Sequence, residues 1–328
     1  MDDLRVGLVG AGWIAREHVA TLEHLGGTQI VAVCDVEPER AKAVQGATAY
    51  SNWEDLLERE TLDALFVCTP PLAHRGPAVA ALERGVHVFL EKPIARTLED
   101  ARAIVSAAER SPAVCAVGYQ WHATSVLDDL RSAISGQEIG MVIGRSIGPA
   151  QGRAWFLERA QGGGNILERG SHQIDLARTV AGEVESVQAA ASEVELAQGA
   201  GERGDIEDAA ALTLRFENGA LGGLLVAWTR AGLPDLYTLD VLATEATLHL
   251  TLDPDFSLRG MSRGEPVEAR SPQHPFERSV ARFLEAARAG ESSLVVCTPS
   301  DAARTLAVAI ACEEALSSST TVKVPPSV

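Results

Sequence analysis

The chain has 328 residues, of which 46% are hydrophobic and 22% charged, and its formal net charge is -17. This length exceeds what one ordinary hydrophobic core organises, so the sequence predicts two domains. Such an acidic surface repels phosphate backbones and anionic lipids, which argues against nucleic acid or a membrane as a partner.

Nothing in the sequence predicts export or insertion into a membrane. The acidic start MDDLRVGLVG lacks the basic first segment of a signal peptide, and no run approaches the ~20 apolar residues of a membrane span. The cysteines are scattered, without CxxC spacing or a His-rich tract, so we predict no metal site, no disulfide frame and a cytoplasmic protein. They are Cys34, Cys68, Cys115, Cys297 and Cys312.

Residues 4 to 118 alternate short apolar runs with amphipathic stretches, which is typical of a parallel sheet wrapped by helices. The runs are apolar throughout, as strands buried on both faces should be. The predicted strands are Arg5 to Val9, Gln29 to Cys34, Ala64 to Cys68, His87 to Leu90 and Val114 to Val117, and the predicted helices are 13–25, 38–45, 73–84 and 98–110. We therefore predict a doubly wound α/β domain over residues 1–118.

The pattern changes after Gly118, and residues 119–328 are predicted to form an α+β domain. Long alternating strands include a tight hairpin at Asn218 and Gly219, which implies an open, largely antiparallel sheet. The sequence AQGAGERGD predicts a flexible loop. The predicted helices are 125–135, 276–289 and 299–316, and the predicted loop is 197–205.

The sequence GAGWIA follows the first predicted strand and opens the first predicted helix. In this GxGxxA pattern Gly10 permits a tight turn, Gly12 leaves room for a pyrophosphate, and Ala15 allows close helix packing. Trp13 and Ile14 belong to the same predicted cofactor site, because the helix N-terminus faces the anion. The alternative is a glycine-rich turn without a ligand. Its place in a βαβ unit favours a dinucleotide, and therefore a Rossmann domain.

Further cofactor contacts are predicted at the ends of two more strands. Asp35 can accept hydrogen bonds from both adenosine ribose hydroxyls and would repel a 2'-phosphate, so NAD is favoured over NADP. Arg40 could approach a phosphate, which leaves NADP as the alternative, and Asp35 could be only a solvated loop acid. The sequence CTPPLAH brings Thr69 and Pro70 to the same crevice. His74 is predicted beside the cofactor, as a structural residue rather than a catalyst.

Glu91, Lys92 and Pro93 follow an apolar strand at the edge where open α/β sheets bind ligands. A buried lysine is costly unless it is paired or used, and Pro93 restricts Lys92 so that the ammonium can be aimed into the cleft. The alternative, a surface ion pair, contributes only ~0–1 kcal/mol. We predict that Lys92 is catalytic and binds cofactor and substrate. Glu91 is predicted at the cofactor site too, where it supports Lys92 by pairing with it or by bonding the backbone at the strand end.

The second half contains GGGNILERGSHQIDLARTVAG, residues 162–182. On a helix, Glu168, His172 and Asp175 would lie along one face, and a carboxylate beside an imidazole fixes its tautomer and raises its basicity. These three residues are the predicted catalytic set of this half, although structural histidines paired with acids are equally common.

Aromatic and cationic residues supply the predicted substrate contacts. Trp121, Trp155 and Tyr237 could stack on a sugar ring, while the alternative for each is a place in the core. The glycines at 162–164 could let a loop that carries Trp155 close over a substrate. The candidates for holding an acidic substrate group are Arg145, Arg153 and Arg159.

Together, GAGWIA, Asp35, CTPPLAH, EKP and GGGNILERGSHQID resemble the glucose-fructose oxidoreductase and inositol dehydrogenase family, Gfo/Idh/MocA. The resemblance covers essentially the whole chain. It implies an N-terminal Rossmann domain and a C-terminal open sheet that often forms a dimer interface, hence a homodimer or homotetramer. It also implies oxidation or reduction of a carbohydrate carbon with NAD(H) or NADP(H). The family's lysine falls on Lys92 and its histidine on His172.

Two positions depart from the family pattern. Glu168 stands where many relatives have Asp, and His122, a predicted substrate contact, stands where many have arginine. Both leave the substrate open. The predicted mechanism is hydride transfer between a CH–OH group and nicotinamide, with His172 as base, Glu168 or Asp175 orienting it and Lys92 stabilising the alkoxide. The alternatives are a cofactor-sensing regulator and NAD-assisted glycoside cleavage.

Overall fold

The computed structural model describes residues 3–149, 154–193, 206–229, 235–253 and 255–327. Its contacts group the chain into two compact units. Unit 1 contains the described residues up to Gln120 together with Phe276–Ala303 and Ser327, and unit 2 contains the described part of Trp121–Pro275 together with Arg304–Pro326. The division into 1–118 and 119–328 stays a prediction, and it differs from this grouping chiefly in the place of Phe276–Ala303. The predicted loop 197–205 lies outside the described residues.

Six parallel strands form the sheet of unit 1, in the order β3-β2-β1-β4-β5-β6. They are β1 (Leu4–Val9), β2 (Thr28–Cys34), β3 (Thr48–Tyr50), β4 (Ala64–Val67), β5 (His87–Leu90) and β6 (Cys115–Val117). The helices between them are α1 (Trp13–Leu25), α2 (Pro38–Lys42), α3 (Trp53–Arg59), α4 (Arg75–Glu83) and α5 (Leu98–Arg110). Every residue of β4 is buried, as its uninterrupted apolar sequence predicts. The predicted doubly wound α/β fold is confirmed.

Two elements of this unit, β3 and α3, were not predicted. The strand β3 is a three-residue strand at the sheet edge with no buried residue, so it leaves no apolar run in the sequence. The helix α3 does carry a signal, because the Asn52 side chain accepts a hydrogen bond of 2.7 Å from the Glu54 amide. An Asn cap followed by acidic first-turn residues predicts such a helix start.

The helix α9 (Pro275–Ala289) explains why a late segment groups with unit 1. Its buried face includes Val280, Phe283 and Leu284, which belong to the same core cluster as the strands of the parallel sheet. The Phe283 ring meets Phe66 and Phe89 edge-on, with both centroids 5.5 Å away. Burying three aromatic side chains together ties α9 to this core.

Nine strands form the sheet of unit 2, in the order β14-β13-β12-β11-β7-β10-β9-β8-β15. Among the strands that the structure describes, β7 and β10 alone pair in parallel, so the predicted open, largely antiparallel sheet is confirmed. The strands are β7 (Ile139–Pro149), β8 (Val184–Ser192), β9 (Ala209–Phe216), β10 (Leu221–Thr229), β11 (Leu236–Ala243), β12 (Ala246–Asp253), β13 (Ser257–Ser262), β14 (Glu265–Arg270) and β15 (Val322–Lys323). Asn218 and Gly219 form the predicted hairpin between β9 and β10, and Gly219 has φ 90°.

The remaining helices are α6 (Ser125–Ala133), α7 (Arg159–Gly162), α8 (Ser171–Ala181) and α10 (Pro299–Ser318), with a π-helical turn at Ile166–Gly170 directly before α8. None of the helices in the described part of the chain combines the length and the apolar character that crossing a membrane requires.

Candidate active site

In the glycine turn between β1 and α1, Gly10 is crowded by neighbouring backbone, whereas Gly12 borders open space. Gly10 has φ 91°, and a Cβ there would lie 2.7 Å from the carbonyl of Cys68. Gly12 is the N-cap residue of α1, and no atom of the described residues lies within 4 Å of the place a Cβ would take. Glycine at position 10 is therefore needed by the fold, whereas the bare backbone at Gly12 borders open space at a helix N-terminus.

Asp35 follows β2 and is held by the backbone around it. Its two carboxylate oxygens accept hydrogen bonds from the Ala11 amide at 2.7 Å and the Glu37 amide at 2.8 Å. Each oxygen keeps a second lone pair for another donor. Arg40, the residue that left NADP open, forms an ion pair of 2.8 Å with Glu37.

Thr69 and Pro70 follow β4, and each is partly exposed. The Oγ1 atom of Thr69 is itself buried, with no hydrogen-bond partner among the residues of the described ranges. A buried hydroxyl without a partner costs free energy, so this atom is a candidate for bonding a ligand. It lies at the carboxyl end of a strand, where the crevice was predicted.

His74 is fully buried, so the cofactor contact predicted for it has no exposed ring atom to make it. Its Nε2 lies 2.8 Å from the Thr69 carbonyl and its Nδ1 lies 3.2 Å from the Ile94 carbonyl. Burial lowers the pKa of His74, while these two carbonyls and Glu91 act in the opposite direction. The ring thus contacts backbone carbonyls from the loop after β4 and from the loop after β5.

Glu91 and Lys92 follow β5. Glu91 is 7% exposed, and its oxygens contact His18 Nε2 at 2.7 Å and the Lys92 amide at 3.2 Å. Lys92 is partly exposed, and the Lys92–Pro93 peptide bond is cis. The Glu91 carboxylate is therefore tied to the protein interior, whereas Lys92 keeps some exposure to solvent.

In unit 2 the π-helical turn changes the predicted alignment of Glu168, His172 and Asp175. Glu168 lies in that turn, whose hydrogen bonds span five residues, so the i, i+4 spacing of an α-helix does not apply to it. Asp175 accepts hydrogen bonds from His122 Nε2 at 2.6 Å and from Thr305 Oγ1 at 2.9 Å. The Asp175 carboxylate thus holds His122, and its role in orienting His172 stays a prediction.

A chain of hydrogen bonds through Thr305, Arg178 and Glu183 holds Asp175 in place. Thr305 Oγ1, which donates to Asp175, accepts a hydrogen bond of 2.6 Å from Arg178 Nη1. Arg178 in turn forms a two-pronged pair with Glu183, at 2.8 and 3.0 Å. Asp175 is 1% exposed, and a buried carboxylate needs such compensation.

His172 packs beside aromatic rings of the same unit. The Trp121 ring is 4.9 Å from the His172 ring and 5.6 Å from the Tyr237 ring. Trp121 is 6% exposed, so only a small part of its ring is open to a ligand. Trp155, the third predicted aromatic contact, packs on Phe156 with the ring centroids 4.9 Å apart.

Arg169, in the π-helical turn, is a residue that the sequence reasoning missed. It is 7% exposed, donates to the Tyr237 hydroxyl, lies over the Trp228 ring at 4.6 Å and pairs with Asp235 at 3.6 Å. Burial raises the pKa of Tyr237, while the nearby guanidinium lowers it. Gly148 on β7 leaves room for this arrangement, because a Cβ there would strike the Asp235 carboxylate and the guanidinium. That contact joins distant parts of the chain, so the sequence carries no local signal for it.

The arginines predicted to hold an acidic substrate group have other partners. Arg145 Nε donates to Thr238 at 3.1 Å, and Arg159 pairs with the buried carboxylate of Glu207 at 2.5 Å. Arg153 lies outside the described residues. Glu207 also accepts a hydrogen bond of 2.8 Å from the Ile166 amide, so Arg159 belongs to the support of the π-helical turn.

Two family models match the chain. Residues 4–119 match the oxidoreductase family with an NAD-binding Rossmann fold, and residues 130–249 match the GFO/IDH/MocA C-terminal domain.

Individual relatives cover less of the chain. A 1,5-anhydro-D-fructose reductase of Ensifer adhaerens is 33% identical over 184 residues, which are 53% of this chain and 55% of that protein. A glycosyl hydrolase family 109 protein of Porphyromonas gingivalis is 35% identical over 128 residues, which are 35% of this chain and 27% of that protein. The chain therefore aligns with less than two thirds of the length of either relative.

A solved structure of levoglucosan dehydrogenase in complex with NADH and levoglucosan matches with a TM-score of 0.87. The match covers 99% of this chain and 100% of that chain at 20% sequence identity, which shows a shared fold. The two family models account for most of the chain and agree with the motifs at the glycine turn and the Lys92 loop. The chain belongs to the Gfo/Idh/MocA oxidoreductase family, and residues 4–119 are its NAD-binding Rossmann domain.

Proposed function

We propose that this chain catalyses reversible hydride transfer between the nicotinamide of NAD and a CH–OH carbon of a carbohydrate-type substrate. The observation that carries the proposal is the strand edge of unit 1. The glycine turn, Asp35, Thr69 and Lys92 follow β1, β2, β4 and β5, which are consecutive neighbours in the sheet order. Open α/β sheets bind ligands along that edge.

The residues of unit 1 fit a dinucleotide. The open space at Gly12 suits a pyrophosphate at the N-terminus of α1, and the Thr69 hydroxyl offers a hydrogen bond that the described residues leave unused. The Asp35 carboxylate, fixed by the Ala11 and Glu37 amides, keeps lone pairs for ribose hydroxyls and would repel a 2'-phosphate. The charge of Arg40 is compensated by Glu37, which also favours NAD over NADP.

Within this proposal the bound cofactor supplies the hydride acceptor, and the chain supplies proton transfer and charge stabilisation. His172 takes the proton of the substrate hydroxyl, and Lys92 stabilises the negative charge that develops on that oxygen. Glu168 remains the candidate for orienting His172, since Asp175 holds His122. Trp121 would pack against an apolar face of the sugar beside His172.

The test is an NADH absorbance assay over polyols, aldoses, amino sugars and sugar acids. Lys92→Ala and His172→Ala should each lower turnover at least ~100-fold while the dissociation constant of NADH changes little. The matched controls are Lys42→Ala and His24→Ala, which remove exposed side chains and should leave turnover near wild type. Tight NADH binding without turnover on any substrate would instead indicate a cofactor-sensing regulator.

The relation to glycosyl hydrolase family 109 favours NAD-assisted glycoside cleavage as a second candidate. In that reaction a carbon of the sugar is oxidised and later reduced again, so the glycosidic bond breaks without net formation of NADH. Release of nitrophenol from nitrophenyl glycosides, at constant NADH absorbance and dependent on added NAD, would identify it. Accumulation of NADH in step with substrate oxidation would identify the dehydrogenase.

We also propose that the open face of the unit 2 sheet binds a second copy of the chain. Its central strands carry exposed apolar side chains, among them Met141 at 37%, Leu225 at 47% and Leu242 at 37% exposure. Met141 is paired with Leu242 across β7 and β11, so these side chains form one patch rather than isolated positions. Leu225→Arg should shift the mass measured by light scattering from dimer or tetramer to monomer, and an unchanged mass would contradict the proposal.

A cytoplasmic location completes the proposal. All five cysteines are buried and none forms a disulfide, as suits a reducing compartment. Fractionation of cells that produce the full chain should place it with cytoplasmic marker proteins, and recovery with a secreted fraction would refute this.

A further inference from the structure

A fully buried histidine sits behind the loop that carries Lys92. His18 lies in the middle of α1, and its side chain is surrounded by the rings of Phe66, Phe89 and Phe276, at 5.2, 5.0 and 4.7 Å. Its Nε2 lies 2.7 Å from Glu91 Oε1. The aromatic cage thus places one polar atom of this ring against a carboxylate.

The proton of this hydrogen bond lies on Nε2. The Nδ1 atom of His18 is buried and has no hydrogen-bond partner in the part of the chain that the structure describes, so a proton there would have no acceptor. His18 therefore donates from Nε2 to Glu91. This is a charge-assisted hydrogen bond between two buried side chains.

Glu91 uses its two oxygens for two different tasks. Oε1 accepts from His18, and Oε2 accepts the backbone amide of Lys92 at 3.2 Å. Behind the carboxylate lies Gly118, where a Cβ would come within 3.2 Å of Oε1. The absence of a side chain at Gly118 thus leaves room for a carboxylate held between helix α1 and the Lys92 amide.

From this arrangement we propose that His18 and Glu91 are positioning residues for Lys92. Their hydrogen bond ties the Lys92 loop to α1, the helix that begins at the glycine turn. It therefore fixes the position of Lys92 relative to the proposed pyrophosphate site. The inference rests on the proposed function, because it matters for catalysis only if Lys92 acts on a substrate. Neither residue touches the reacting atoms in this scheme.

The kinetic test separates the hydrogen bond from general packing. His18→Phe keeps a ring but removes the donor, His18→Gln keeps a donor, and Glu91→Gln removes the charge. We expect kcat to fall at least ~10-fold in His18→Phe and Glu91→Gln, with KM and the NADH dissociation constant within ~3-fold, and His18→Gln to restore most of the rate. Leu22→Ala is the control, since Leu22 is fully buried one turn further along α1 and takes no part in the pair.

A second measurement does not depend on turnover. The chain has only three lysines, Lys42, Lys92 and Lys323, so acetic anhydride labelling read by mass spectrometry reports on Lys92 against two internal references. Loss of the hydrogen bond should make the Lys92 loop more mobile, so the labelling of Lys92 relative to the other two lysines should rise at least ~3-fold in His18→Phe and Glu91→Gln. It should not rise in His18→Gln or Leu22→Ala.

The two measurements keep the two proposals distinguishable. No turnover in the wild type, together with the expected labelling pattern, would refute the dehydrogenase while the tie between His18, Glu91 and the Lys92 loop stands. Unchanged Lys92 labelling in His18→Phe and Glu91→Gln overturns the positioning role. Equal loss of rate in His18→Gln and His18→Phe also overturns it, as does equal loss in Leu22→Ala. If His18→Phe does not fold, Glu91→Gln decides by the same criteria.

Discussion

Gly12→Ala is the substitution that best separates cofactor binding from folding. The added methyl group would meet no atom of the described residues within 4 Å, and the backbone of Gly12, at φ -73° and ψ -164°, suits any residue. The fold should therefore accept the change. If a pyrophosphate occupies the open space, the same methyl group should obstruct it.

The expected magnitudes follow from these two statements. Alanine is a poorer helix cap than glycine by up to about 1 kcal/mol, and it reduces the entropy of the unfolded chain by about 0.4–1 kcal/mol, so the two effects nearly cancel. The midpoint of thermal unfolding should move by no more than ~4 °C. A methyl group against a pyrophosphate that lies on the backbone should weaken NADH binding at least ~10-fold, equivalent to about 1.4 kcal/mol.

The assay pairs thermal unfolding without cofactor with NADH titration by fluorescence. Gly223→Ala is the matched control, because Gly223 also has open space around it and lies in β10 of unit 2. An unchanged dissociation constant in Gly12→Ala would refute the placement of the pyrophosphate. A large loss of stability in the same variant would refute the claim that the fold has room for a methyl group at position 12.

Three further predictions concern unit 1. Gly10→Ala should destabilise the fold by at least ~2 kcal/mol, because φ 91° and the Cys68 carbonyl 2.7 Å away oppose a Cβ; a normal unfolding midpoint would contradict this. Phe283→Ala should cost about 3–5 kcal/mol in a urea titration, since it empties the space between two rings of the sheet, and a cost below ~1 kcal/mol would mean that α9 is not part of this core. Burial holds the pKa of His74 below 6.5, so its contribution to stability is complete above about pH 6.5 and is lost as the pH falls through its lower folded value. His74→Gln should therefore reduce the difference in unfolding free energy between about pH 7.5 and pH 5.5, and an equal difference in both proteins would refute this.

The sheet of unit 1 was predictable because its strands are buried on both faces. Strands such as β4 and β5 are short uninterrupted apolar runs, and no surface helix gives that pattern. The strand β3 was not predictable, because an exposed edge strand is selected by its backbone hydrogen bonds to β2 rather than by apolar side chains. The packing of α9 against unit 1 was not predictable either. The sequence of an amphipathic helix shows which face is buried, but it does not show which sheet that face packs against.

In the candidate site, the sequence located the loops but not the pairing of their side chains. Glu168, His172 and Asp175 were placed on one helix face by counting residues. His172 and Asp175 do lie in one α-helix, whereas Glu168 lies in a π-helical turn that the sequence did not predict. Such turns depend on tertiary contacts, here the Glu207 carboxylate at the Ile166 amide, which come from a distant part of the chain. The partner of Asp175 could not be found by local spacing for the same reason, because His122 lies 53 residues away in sequence.

The hydrogen-bond partners of three histidines could not be predicted from the sequence. His18 and His74 are fully buried and His122 is partly exposed, and each contacts an acceptor supplied from elsewhere in the chain: the carboxylate of Glu91, backbone carbonyls, and the carboxylate of Asp175. In the sequence each is a lone histidine on or beside an apolar helix, for which a core role and a catalytic role are equally consistent. What distinguishes them is the second contact of each acceptor. Glu91 also binds the Lys92 amide, whereas Asp175 also binds Thr305, so the pair at His18 acts on the loop of a predicted catalytic residue and the pair at His122 braces its own unit.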